Sequence, residues 1–427
     1  MTMNAPKTLR ELSCADDYDP DSMPVDRARE VIRQFLKPVT TIERVHIRLA
    51  LDRILAEEIV SPIDVPGHDN SAMDGWAVRH SDLATHGETT LKRIGDSFAG
   101  KPCDTVIGSG ETVRIFTGAA MPGGADTVVM QERASEIPGG VRIAAGAVGK
   151  AGQNRRFAGE DLKRGTTVFR AGQPLRPAEI GMLASIGINQ VGVYRKLRVA
   201  FFSTGDELKP IGEPLAVGQL YDSNRYTLWG MLTRMNCDVI DMGVVADVPA
   251  ALETAFASAA ANADVVITSG GVSVGEADFV KRVLETLGEV LFWKIAMKPG
   301  RPLAYGRIGN AHFFGLPGNP VSVMVTFYEF VRDALFALQG RGGSASTPQF
   351  QVRLAAPIRK VPGRTEFQRG ILTQEDDGQW QVRTTGDQGS GILSSMSRAN
   401  CFIVLPAETG DVAAGATVDV QILEGLI

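Results

Sequence analysis

The run SGGVSVGEAD (269 to 278) combines residue types that can hold a phosphate beside a metal ion. Ser269, Gly270, Gly271, Ser273 and Gly275 let backbone N–H groups approach an anion, and the start of a following helix adds a favourable partial charge. Asp278 falls in the first turn of that helix, where a carboxylate can share a metal with phosphate oxygens. The same residues also make an ordinary βα turn with an acidic first turn. The run is not a Walker loop, because the spacings GxxxxGKS and GxxxxGKT are absent. GLPGNP (315 to 320) is built comparably: Pro317 and Pro320 fix φ, Gly318 permits close approach, and Asn319 can cap the next helix. Ser322 follows in the first turn and could donate to an oxyanion.

WKIAMKPGRP (293 to 302) places Lys294, Lys298 and Arg301 within eight residues. In an extended segment Lys294 and Lys298 share a face. Each ammonium about 4 Å from a common anion contributes roughly 4 kcal/mol at an effective dielectric near 20, before desolvation. A solvated edge rich in lysine would have the same sequence. Acids recur at loop positions: Asp69, Asp74, Glu160, Asp161, Asp206, Glu207, Asp247 and Asp278. Several of them converging would suit Mg²⁺, a hard ion that takes oxygen ligands and shares them with phosphate. Singly, each has a simpler use; Asp74-Gly75 is a turn dipeptide, and Asp247 can cap the helix that Pro249 begins.

Other common chemistries find no support. The five histidines show no HExxH or other zinc spacing, and no GxSxG elbow is present. Cys14, Cys103, Cys237 and Cys401 are far apart, without a CxxC pair, which fits a reducing compartment. The four tryptophans are assigned to packing.

The elements that must position these groups can be read in outline. Residues 24 to 36 put Val25, Ala28, Ile32 and Phe35 on one helical face, and a second helix is expected over 178 to 186. Short strand-like runs between them, broken by PGG at 122 to 124 and 138 to 140, predict a β-rich insertion. From residue 197, apolar runs at 199 to 202, 239 to 245, 265 to 268 and 312 to 316 alternate with helical stretches at 222 to 235, 249 to 262, 276 to 287 and 320 to 338. Strands that are apolar on both faces and separated by helices indicate a mostly parallel, doubly wound sheet. Ligands on such sheets sit at the carboxyl ends of the strands, which is where the glycine loops fall. After the linker GRGGSAST (340 to 347), strands at 350 to 355, 367 to 373, 379 to 385, 400 to 405 and 416 to 422 predict a small β-barrel or sandwich.

The fold class expected is therefore multidomain α/β. Residues 1 to 23 form a tail, and 24 to 63 with 164 to 195 an elongated helical domain. A β-rich insertion domain covers 64 to 163, the doubly wound α/β domain 196 to 341, and a terminal β-barrel 342 to 427. A 427-residue chain is long enough for about three cores at roughly 150 residues each. With 44% apolar and 22% charged residues and a net charge of -5, the composition gives no reason to expect a nucleic-acid partner. No apolar stretch approaches the roughly 18 residues of a membrane span, and the start has no signal-peptide core, so a cytoplasmic location is expected.

Nine runs, taken together and in order, resemble the molybdopterin molybdenumtransferase family, which includes the catalytic E domain of gephyrin. They are DVPGHDNSAMDGWAV (64 to 78), RIFTGAAMPGGADTVVMQE (114 to 132), GQNRRFAGED (152 to 161), FSTGDEL (202 to 208), YDSNR (221 to 225), SGGVSVGEAD, KPGRPLAYG (298 to 306), GLPGNPVS and GRTEFQRG (363 to 370). The resemblance implies a homodimer whose cleft is lined by both chains. It also implies a reaction in which adenylylated molybdopterin, delivered by an upstream adenylyltransferase, takes up molybdate with a divalent cation such as Mg²⁺ and releases AMP. Carried over position by position, Asp278, Asp247, Asp161 and Glu207 match the functional acids, Asp278 and Asp247 being the metal-site members. Asp74 and Thr117 match insertion-domain positions that reach the partner's cleft. Lys294, Lys298, Arg369, Ser390 and Ser322 match the oxyanion site, and the two glycine loops the pterin-nucleotide cradle. Two departures stand out: Arg301 replaces a frequent Lys, and Asp387 replaces a His near Ser390. The sequence also leaves room for a molybdopterin adenylyltransferase or a pterin-binding scaffold, and does not separate molybdate from tungstate.

Overall fold

The computed structural model describes residues 23 to 271, 283, 284, 286 to 342 and 347 to 423. Ser273, Gly275, Asp278 and most of the expected 276 to 287 helix lie outside the described residues, as does the expected tail. The chain divides into two units, one made of residues 1 to 43, 52 to 54 and 194 to 427, the other of 44 to 51 and 55 to 193.

The first unit begins with helix α1 (Val25–Phe35), and its sheet is built from β1 (Arg198–Thr204), β2 (Asp238–Val245), β3 (Val265–Ser269), β4 (Gly288–Lys294), β6 (Pro302–Ile308) and β7 (Ala311–Leu316). A two-residue strand, β5 (Met297–Lys298), lies between β4 and β6. The spatial order is β2-β1-β3-β7-β6-β4. The first four strands are parallel, and β6 runs antiparallel to both neighbours. Alternation along the strands fills two separate cores. Val199, Phe201, Val265, Ile267, Phe314 and Leu316 face helix α2 (Ser223–Arg234), while Ala200, Phe202, Val266 and Phe313 face helix α3 (Pro249–Asn262). On the α3 side, Phe256 packs edge-on between Phe202 and Phe313 with centroid distances of 5.1 and 5.6 Å. The doubly wound, mixed sheet is thus present, although the antiparallel β4–β6 pair was not expected.

Helix α4 (Pro320–Thr326) continues through a π-helical segment, Phe327–Val331, into α5 (Arg332–Leu338). The final strands are β8 (Gln349–Leu354), β9 (Thr365–Gln374), β10 (Trp380–Thr384), β11 (Cys401–Leu405) and β12 (Thr417–Ile422), with helix α6 (Leu393–Arg398) between β10 and β11. They pair in the order β9-β10-β8-β12-β11, and β11 returns to β9, which closes a five-stranded barrel. β5 adds to β9 from outside, in parallel, with Lys298 opposite Glu366.

The second unit holds a six-stranded sheet in the order Thr127–Met130, Gly75–Val78, Glu111–Ile115, Thr89–Ser97, Gly140–Ile143, Ala134–Ile137. A separate apolar cluster around Leu55, Phe169, Leu175, Leu183 and Val191 is covered by the helix Pro177–Ser185. An elongated helical domain containing both early helices is not what the chain forms. The apolar stripe of α1 (Val25, Ala28, Val31 and Ile32) packs into the core of the α/β sheet in the first unit. Periodicity marks a buried face, but it does not say which surface covers that face.

Candidate functional site

Every parallel strand of the α/β sheet delivers its carboxyl end to one cleft of about 1050 Å³ in the first unit. β1 supplies Gly205 to Leu208, β2 leads to Asp247, β3 to Ser269, Gly270 and Gly271, and β7 to Pro317, Gly318 and Asn319. The start of α2 adds Asp222, Ser223 and Asn224, and α4 adds Ser322. Met297 to Pro302 form one wall, and the barrel contributes Arg364 and residues 388 to 391. This is where an open α/β sheet places its ligands. The cleft therefore brings together the predicted Glu207, Asp247, Ser269, Gly270, Gly271, Lys298, Pro317, Gly318, Asn319, Ser322 and Ser390.

Two glycines are required by the local backbone. Gly270 has φ 92°, and a Cβ there would lie 2.6 Å from the Thr204 carbonyl oxygen. Gly300, in the KPGRP turn, has φ 95°, and a Cβ would meet Thr326 Oγ1 at 2.6 Å. The two glycine loops are joined by Asn224, whose Nδ2 donates to Ser269 Oγ at 2.8 Å and to the Gly318 carbonyl at 2.7 Å. Asn319 occupies the N-cap position of α4, yet its side chain makes no capping bond. The expected cap is absent, and its amide lines the cleft instead.

Asp247 does not cap α3 either, because Val248 holds that position. Its Oδ1 is buried and lacks a hydrogen-bond partner among the described residues, as do Asp222 Oδ2 and Asn224 Oδ1. Buried oxygen acceptors without donors are costly unless something else satisfies them. Carboxylate and amide oxygens are the ligand type that a hard divalent cation takes.

The cationic wall differs from the expectation. Lys294 ends β4 in the α/β sheet, whereas Lys298 lies in β5 against the barrel. Between them Ile295 is fully buried, and the chain changes sheets. The two lysines therefore do not share one extended face, and Lys294 is not among the residues lining the cleft. Lys298 does line it, with Nζ 3.4 Å from Glu366 Oε1. Arg369 departs further from its expected role. It is 1% exposed, its Nε donates to Ser395 Oγ and its Nη2 to the Gly389 carbonyl, each at 3.0 Å. Burial pushes this guanidinium down to about 10, against the opposing charge of Asp387. Arg369 thus supports the loop carrying Ser390 from below. The arginines that line the cleft are Arg301 and Arg364. Position in GRTEFQRG separates Arg364 from Arg369, since Arg364 precedes β9 while Arg369 lies within it, on the face opposite Glu366 and Gln368. The Asp387 carboxylate accepts the Gly389 N–H at 3.0 Å, which occupies it within its own loop.

Asp74 and Thr117 meet in the second unit, where Thr117 N–H and Oγ1 both donate to Asp74 Oδ1 at 2.8 Å. These bonds hold the Asp74 carboxyl below the usual range. Asp161 lies exposed in the same unit, in the loop where its N–H donates to the Val65 carbonyl. Among the described residues, no cluster of three or more histidine, cysteine or acidic side chains is arranged to hold a metal.

Comparison with known proteins decides the family. Models of the MoeA N-terminal region (domain I and II), a probable molybdopterin binding domain and the MoeA C-terminal region (domain IV) match residues 23–187, 200–337 and 351–423. The chain is 47% identical over 397 residues to a molybdopterin molybdenumtransferase of Haemophilus influenzae, covering 93% of this chain and 98% of that protein. The chain belongs to the molybdopterin molybdenumtransferase family. As a member of that family it is a transferase of molybdenum cofactor biosynthesis. Gephyrin of Dictyostelium discoideum is 33% identical, with 92% of this chain matched to 61% of that protein. Among solved structures, a molybdopterin biosynthesis MoeA protein of Pyrococcus horikoshii OT3 matches with TM-score 0.81 at 29% identity, covering 94% of this chain and all of that one. The sheet and barrel described above are thus those of molybdopterin molybdenumtransferases.

Proposed function

We propose that this transferase inserts molybdate into adenylylated molybdopterin and releases AMP with the finished cofactor. The observation that carries this reading is the composition of this cleft. Two glycine loops fastened by Asn224 suit a pyrophosphate, acid oxygens without donors suit a cation, and Lys298 with Arg364 suits a tetrahedral oxyanion.

In this reading Ser269, Gly270, Gly271, Pro317, Gly318 and Asn319 cradle the pterin nucleotide, together with Ser273 and Gly275. Asp247 and Asp278 would hold Mg²⁺, the Asp247 oxygen that lacks a donor being free for it. The bound cation would draw charge from the phosphate oxygens as the bond to AMP is hydrolysed. Glu207 faces the same cleft and orients the attacking water. Lys298, Ser322 and Ser390 hold molybdate until the dithiolene sulfurs take the metal, with Lys294 and Arg369 acting through the segments they anchor. Asp74, Thr117 and Asp161 complete the cleft of a partner subunit in a homodimer. An adenylyltransferase supplies the substrate. No described helix is long and apolar enough to cross a membrane, and we place the reaction in the cytoplasm.

The test is AMP release from adenylylated molybdopterin by purified protein with Mg²⁺ and a molybdate titration. Molybdate-dependent release, yielding product that activates an apo-molybdoenzyme, supports the proposal. Tight pterin binding without release would reduce the protein to a carrier.

A further inference from the structure

A buried carboxylate beside a lysine of the cleft calls for an explanation. Glu366 is 5% exposed and lies on β9 opposite Lys298 in the parallel β5–β9 pair. Its Oε1 is 3.4 Å from Lys298 Nζ, and its Oε2 accepts from Gln368 Nε2 at 2.8 Å. Both oxygens are therefore engaged, and the carboxylate is fixed by strand, burial and hydrogen bond together. The Lys298 side chain, by contrast, is 51% exposed and lines the cleft. A long ammonium side chain at such a position samples several rotamers, and ordering it costs free energy when a ligand arrives. An ammonium carries three donors, and Glu366 uses one of them in a fixed direction.

Lys360 also stands near Glu366 but is committed elsewhere. Lys360 is 5% exposed and donates from Nζ to the Thr409 carbonyl at 2.8 Å and the Ala407 carbonyl at 3.3 Å. Arg364 precedes β9 by one residue and lines the cleft itself. Lys298 is a cleft cation that Glu366 holds from a fixed position.

We propose that Glu366 is a positioning residue for oxyanion capture, pre-aiming Lys298 so that molybdate meets an ordered ammonium. The proposal rests on the reading of Lys298 as an oxyanion ligand. Removing the carboxylate should weaken molybdate binding while leaving the pterin-nucleotide loops untouched, although electrostatics alone predicts the reverse.

The experiment is a double-mutant cycle on the full chain, with AMP release measured against molybdate and, separately, against adenylylated molybdopterin. Glu366→Gln should raise half-saturating molybdate by ~10-fold, with the maximal rate and the pterin-nucleotide requirement within about twofold. Lys298→Met should raise it at least as much, and adding Glu366→Gln to that variant should have no further effect. Glu366→Asp, which keeps the charge, should fall between wild type and Glu366→Gln, and it carries the cycle if the glutamine variant fails to fold. Additive effects, or tighter molybdate binding in Glu366→Gln, would overturn the positioning role while leaving Lys298 as a ligand. An unchanged molybdate requirement in Lys298→Met would remove the oxyanion reading, and the role of Glu366 with it.

Discussion

Arg364, just before β9, and Arg369, within it, are five residues apart and serve different ends. Arg364 is exposed at the cleft, while Arg369 is enclosed, with donors committed to Ser395 and Gly389. A surface guanidinium near an anion contributes mainly to ligand affinity, whereas a buried one deprived of its partners leaves unpaired polar groups behind. Arg364→Ala should therefore raise the molybdate requirement by about 10-fold with little change in melting temperature. Arg369→Ala should instead lose about 2 kcal/mol or more of stability in chemical denaturation, since two carbonyl or hydroxyl partners and a buried volume are lost together. If Arg369→Ala kept wild-type stability and changed only molybdate affinity, the expectation drawn from the sequence would be restored.

Among the elements, those that a strong local pattern announces are the ones the sequence makes legible. Apolar runs such as Val265 to Thr268 became the central strands, and Pro249 and Pro320 mark helix starts because proline fits a first turn without losing a bond. The β4–β6 antiparallel pair escaped notice because its apolar residues are interleaved with Glu289, Lys294 and Arg307, and antiparallel pairing needs no distinctive connection. The lysine pair was misjudged for a related reason: spacing gives a shared face only while one strand continues, and the chain changes sheets at Ile295. The β6–β7 hairpin carries a further consequence in His312, which is 6% exposed with Nδ1 3.3 Å from the Tyr305 hydroxyl. Burial pushes this imidazole from 6.5 down to about 4. The folded state thus binds the proton more weakly than the unfolded one. The stability it contributes is complete above about 6.5 and is lost as pH falls toward 4, amounting to ~3 kcal/mol at the acid end. Urea midpoints followed from pH 7 to 4 should fall less steeply in His312→Asn than in wild type, and parallel curves would contradict the assignment.

For the whole molecule, the candidate residues fall in two compact units: Asp74, Thr117 and Asp161 in one, the cleft in the other. The sequence placed them in different domains but could not show which side chains shared a surface. If the proposed homodimer builds each active site from both chains, two inactive variants can complement one another. Mixing Asp74→Ala with Asp247→Ala after dissociation and reassembly should restore about a quarter of wild-type AMP release, because half the dimers are mixed and each has one intact site. Activity no higher than that of either variant alone would mean that the two residues act on the same chain or not at all.

The sheet change at Ile295 also bears on how such a protein can be recombined. Thr365 N–H donates to the Ala296 carbonyl at 2.9 Å, and β5 is hydrogen-bonded to the barrel although it precedes it by more than a linker's length in the chain. A chimera joined at the linker between α5 and β8 would draw Lys298 from one parent and Glu366 from the other. The natural seam in the sequence therefore cuts through an ion pair. A swap that keeps the cleft working must carry residues 295 to 302 along with the barrel they lean on.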